Sequence, residues 1–183
     1  DRSFRVQLTE VESFAPVGAW FEGDGEYRRV EFDPRAVSEK NLGRTGHVAV
    51  RTGSGGVLVV GGAVIDPPET PAELPRIRVL HDDLQQFVPG SGHVTDLSFD
   101  AAREQPRPEG RDRLDVGRAY HTVTPIGDDR YLVIGGLTGT GAETEPTRSL
   151  ELIDLNADPG ERVRPLEDGA GEQLTLEEAR AFH

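Results

Sequence analysis

An arginine and a histidine three residues apart occur twice, each at the same distance from a paired glycine. His47, of Arg44-x-x-His47, stands fourteen residues before Gly61-Gly62, and His121, of Arg118-x-x-His121, stands fourteen before Gly135-Gly136. In both copies the glycines close an apolar run, Val57–Val60 in one and 131–134 in the other. A third Arg-x-x-His, Arg180 to His183, marks the start of a further copy. Self-similarity at long period is the signature of a repeat architecture, in which each unit buries its core against its neighbours.

The segments between these markers read as β-structure. Candidate strands at 5–11, 27–33, 47–52, 57–61, 84–88, 94–99, 120–126, 130–135, 149–154 and 162–166 are short and β-branched or alternating. Gly, Pro and Asp bound them, in a chain of 183 residues with 22 Gly and 13 Pro. Thr52-Gly53-Ser54-Gly55-Gly56 and Gly127-Asp128-Asp129 supply residues that accept tight hairpin turns. The runs 57–60 and 132–134 are continuously apolar, which predicts strands buried on both faces. A capping box at Thr175-x-x-Glu178 offers a helix of barely two turns as the alternative there.

The pattern resembles a Kelch repeat: an Arg-x-x-His strand, an apolar strand ending in Gly-Gly, then a strand ending in Asp or an apolar residue. That third element occurs as Val30-Glu31-Phe32-Asp33-Pro34, Leu84-Gln85-Gln86-Phe87-Val88-Pro89 and Leu150-Glu151-Leu152-Ile153-Asp154. The resemblance covers 27–183 and implies an all-β fold of Kelch-like β-propeller blades. Each blade would be a four-stranded antiparallel sheet, with the ring incomplete in this chain. Residues 1–43 then end in the late strands of a blade. Residues 44–117 form a unit with long insertions, 118–179 a second unit, and 180–183 the start of another. The steps between arginines, 74 and 62 residues, exceed the family unit of about 50. The surplus falls in 66–75, 101–113 and 138–147. Blade arithmetic implies that other blades, from a longer chain or from other subunits, complete the ring.

The chemistry is sparse. Cysteine is absent, which excludes disulfides, thiolate metal sites and a cysteine nucleophile. Net charge is −13, with acids and bases both spread along the chain; without a basic patch, nucleic acid is not an expected partner. No apolar run reaches the length of a membrane helix. Arg44, His47, Gly61, Gly62, Arg118, His121, Gly135 and Gly136 occupy repeat positions and read as structural. Asp154-x-Asn156-x-Asp158 resembles an oxygen-rich calcium loop, although Pro159 stands where such loops use glycine.

Those observations favour a noncatalytic module that binds protein or glycan through the inserted loops, within a larger secreted or surface protein. A structural subunit of a surface assembly is the first alternative. The second is a propeller-based oxidase or hydrolase whose catalytic residues lie largely outside this segment. The expected location is extracellular or cell-surface, with the cytoplasm as the alternative.

Overall fold

The computed structural model describes residues 11–15, 26–32, 44–66, 68, 70, 76–88, 93–100, 105–106, 112–139 and 143–182. All regular elements among them are β-strands, and neighbouring strands of the two main sheets pair antiparallel with one exception. A hairpin of β1 (Val11–Ala15) and β2 (Glu26–Phe32) comes first. The first unit follows, with β3 (Val48–Arg51), β4 (Val57–Val60), β5 (Ala63–Asp66), β6 (Arg76–Leu80), β7 (Leu84–Phe87) and β8 (His93–Asp96). A short pair, β9 (Phe99–Asp100) and β10 (Gln105–Pro106), leads to the second unit. That unit contains β11 (Thr122–Gly127), β12 (Arg130–Ile134), β13 (Leu137–Thr138), β14 (Glu145–Pro146), β15 (Leu150–Asp154) and β16 (Val163–Pro165).

The two units have one topology. Their sheets run β3-β4-β7-β8 and β11-β12-β15-β16, each with a two-stranded hairpin inserted after its second strand. The first pair of strands in each is an antiparallel hairpin, Val48 opposite Val60 in one and Thr122 opposite Ile134 in the other. The turn chemistry differs as the sequences do. In the first hairpin Gly55 takes φ +83° and the Thr52 hydroxyl accepts the Gly56 N–H at 2.9 Å. In the second, Asp128 and Asp129 both take φ +52°, a conformation that aspartate tolerates better than bulkier residues.

Backbone hydrogen bonds align the units residue by residue. Gly61 N–H donates to Asp83 O (3.3 Å) as Gly135 N–H does to Ser149 O (3.1 Å). Leu97 N–H reaches Leu84 O (2.9 Å), and Leu166 N–H reaches Leu150 O (3.0 Å). Leu114 N–H to Asp82 O (2.7 Å) is matched by Leu176 N–H to Arg148 O (2.9 Å). The segment leading into Arg180 therefore lies as the segment leading into Arg118 does. Thr175 bridges Ser149 in extended form, so the capping-box helix does not form.

Three expectations change. The first sheet has six strands, because β2 adds to the outer edge of β8, in parallel, and carries β1 with it. Val30-Glu31-Phe32 thus belongs to a strand on the first unit's own sheet. Second, β4 and β12 bury one face more deeply than the other. Leu58, Val60 and Val133 are fully buried and Tyr131 nearly so, whereas Val57 is 36% exposed and Leu132 and Ile134 are half-buried. Third, Ala63–Asp66 and Arg76–Leu80 pair as a hairpin that the sequence pattern did not foretell.

The core is one cluster drawn from both units. Leu58, Val60, Leu84, Leu97 and Leu114 pack with Val123, Tyr131, Val133, Ile153 and Val163. Neither sheet buries its apolar face by itself, as nearest-neighbour packing in repeat folds requires.

Candidate functional site

Arg44 and Arg118 are both buried and anchored from two sides, whereas Arg180 is exposed. Arg44 Nη1 donates to Gly61 O (2.9 Å), and the guanidinium forks onto Asp83 at 3.2 and 2.7 Å. Arg118 Nη1 donates to Gly135 O (3.1 Å), and its Nη2 pairs with Glu151. Both arginines reach a carbonyl seventeen residues on. A planar fork with several fixed donors suits a carbonyl and a carboxylate together.

Asp83 matches Ser149, so Glu151 matches Gln85. The acid has moved by one pleat while staying on the same strand face, since side chains alternate with period two. Gln85 retains a role in the first unit, donating from Nε2 to Asp83 Oδ2 at 3.1 Å. Glu151 in turn accepts the Asp115 N–H at 2.9 Å.

The electrostatics of the two clusters differ. Burial alone would raise Asp83, but His81 Nδ1, 3.2 Å from Oδ1, and the Arg44 guanidinium hold it well below the usual carboxylate range. Burial pushes Glu151 up more than Arg118 pulls it back. Asp96 is also pushed up, by burial and then by Asp83, although Ser98 donates to it from its N–H (2.8 Å) and hydroxyl (2.6 Å). Burial, followed by the neighbouring Arg44, lowers His47.

The glycines fit against these side chains. Gly62 has φ +113°, and a Cβ there would lie 3.0 Å from His47 Cβ and 3.2 Å from Arg44 Cβ. Gly136, at φ +106°, would meet Ala119 O and His121 Cβ, both at 2.8 Å. His47 and His121 thus occupy the same place beside the second glycine of each pair. Gly61 lies at the seam between units, where an added Cβ would meet Arg118 O at 2.5 Å.

The three Arg-x-x-His segments also stack on one another. Tyr120 N–H donates to Gly46 O (2.8 Å), and Phe182 N–H donates to Tyr120 O (3.0 Å). Gly46, Tyr120 and Phe182 all have positive φ, at 64°, 56° and 56°. The Tyr120 and Phe182 rings stack with centroids 4.4 Å apart. Gly62 N–H donates to Arg118 O (2.8 Å), as Gly136 N–H does to Arg180 O (2.9 Å). Sequence reasoning found the arginines, histidines and glycines but missed their partners Asp83 and Glu151, because those acids differ in type and register.

The calcium-loop candidates serve turns. Asp154 Oδ1 accepts the Asn156 N–H (3.0 Å), Asn156 Nδ2 donates to Asp128 O (2.5 Å), and Asp158 O accepts the Glu161 N–H (2.9 Å). Among the described residues no three His, Asp or Glu side chains gather as a metal site. No helix among them is long and apolar enough to cross a membrane.

Two features could meet a partner. The inserted hairpins β5–β6 and β13–β14 leave their sheets from the same point, directly after Gly61-Gly62 and Gly135-Gly136, yet differ in length: Gly62 to His81 is 19 residues and Gly136 to Thr147 is 11. Their tips, like most of 101–113, lie outside the described residues. A cleft of about 310 Å³ at the seam is lined by Val163, Arg164 and Pro165 of β16, by Glu151 of β15, and by Asp82, Arg113, Leu114 and Asp115. No protein-family model matches this sequence, and no curated protein matches it as a relative.

Proposed function

We propose that this chain is a noncatalytic protein- or glycan-binding scaffold, built from consecutive Kelch-like propeller blades of a larger secreted or surface protein. The carrying observation is that a shared skeleton presents unlike inserts. Both units use the same arginine, glycine pair and strand order, and both attach a hairpin at the same junction. The buried charges are occupied in holding strands together: Arg44 with Asp83, Arg118 with Glu151, and Asp112 Oδ2 with the Gly160 N–H at 2.7 Å. The inserted hairpins differ in length between the units, and loops on a rigid scaffold carry most recognition.

Replacing residues 67–75, or 140–142, with a short Gly-Ser linker tests the reading. Binding to a glycan array and capture of protein partners should fall while the melting temperature holds. A variant that folds and binds as the parent does would place recognition elsewhere.

A further inference from the structure

The repeat alignment makes β16 the counterpart of β8, with Val163 matching Val94 and Arg162 matching His93. On β8 the outer edge is covered by β2, in parallel, with Glu31 opposite His93 and Phe32 opposite Val94. No strand pairs with the outer edge of β16 among the described residues.

The backbone at that edge is ready to pair. Asp154 N–H donates to Arg162 O (2.8 Å) and Leu166 N–H to Leu150 O (3.0 Å), so Arg162, Arg164 and Leu166 point their polar groups inward. Alternation then turns the N–H and C=O of Val163 outward. Pro165 has no N–H to offer, which limits pairing to the part of the strand around Val163.

Charge selects the occupant. In the register β2 takes on β8, a strand on β16 would place its residues opposite Arg162, Val163 and Arg164 in turn. Arg164 is exposed and has no ion-pair partner among the described residues; Arg162 lies 3.4 Å from Asp112. We infer that the outer edge of β16 binds an extended segment of a protein partner, in parallel, with the pattern acid–apolar–acid. The contact is independent of the inserted hairpins and uses main-chain addition, in which backbone bonds give affinity and alternating side chains give selectivity.

The chain's own sequence supplies the probe: an N-acetylated, fluorescein-labelled peptide of residues 26–33, Glu-Tyr-Arg-Arg-Val-Glu-Phe-Asp. In parallel pairing the N–H after the central Phe donates to Val163 O, while the Phe N–H points away. The full chain should bind the peptide saturably and ignore a scrambled sequence. N-methylation at the final Asp should abolish binding, and N-methylation at Phe should be tolerated. Arg164→Glu, at an exposed side chain, should weaken binding about tenfold; displacement of β2 from β8 would be insensitive to it. No saturable binding up to about 1 mM, equal effects of the two methylations, or an unchanged affinity of Arg164→Glu would each overturn the proposal. Self-association of the unliganded chain that Arg164→Glu dissolves would assign the edge to a second copy and overturn the partner segment.

Discussion

Asp83 and Glu151 receive equivalent arginines from positions two residues apart on equivalent strands. Because the pleat repeats every two residues, an acid can move by that step and still face the same guanidinium. The repeat thus conserves an ion pair in space without conserving it in sequence.

Moving the first unit's acid to the second unit's position tests that relationship. Asp83→Ser leaves Arg44 without its carboxylate and should cost about 3–5 kcal/mol, the usual penalty for breaking a buried pair. Adding Gln85→Glu should recover more than half of that loss in urea melts. If the double variant is no more stable than Asp83→Ser, the two acid positions are not interchangeable.

Glycine substitutions should separate backbone strain from crowding. Gly55 has φ +83° and nothing within 4 Å of an added Cβ. Gly55→Ala should therefore cost only the left-handed conformation, roughly 1–2 kcal/mol. Gly62→Ala and Gly136→Ala combine contacts at 3.0 and 2.8 Å with φ of +113° and +106°, farther from the left-handed minimum, and should each be clearly worse than Gly55→Ala. Comparable thermal shifts at all three sites would contradict the packing around His47 and His121.

Asp96 gives a pH dependence with a definite sign. Its folded-state pKa is raised by burial and by Asp83, so its ionised form opposes folding above that value, and stability should rise as pH falls through it. Glu151 acts in the same direction. Asp83 is depressed, so its contribution is present above the unfolded carboxylate value, near 3.9, and is lost only in stronger acid. Asp96→Asn keeps an acceptor for Ser98 and removes the charge. It should melt higher than the parent at pH 7 and gain less on acidification to pH 5. A lower melting temperature at pH 7 would show that the carboxylate is favourable there.

The sequence made the hairpin pairs legible because Val-rich runs, turn glycines and aspartates agree at 47–61 and 121–135. It did not show β5–β6, since Ala63–Asp66 and Arg76–Leu80 are separated by a Pro- and Glu-rich stretch that reads as loop. Equal burial of both faces was expected for β4 because valine is apolar everywhere. Only packing distinguishes Val60, fully buried, from Val57. The positive φ of Tyr120 carried no signal either, for it became evident only by alignment with Gly46 and Phe182.

The central claim is that each glycine pair joins the next Arg-x-x-His segment by the same backbone bond. Through-hydrogen-bond couplings between amide nitrogen and carbonyl carbon, measured by NMR on isotope-labelled chain, report such bonds directly. The account predicts cross-peaks from Gly62 N to Arg118 C′ and from Gly136 N to Arg180 C′. A coupling from either glycine to a different carbonyl, or its amide exchanging freely with solvent in the folded chain, would contradict it.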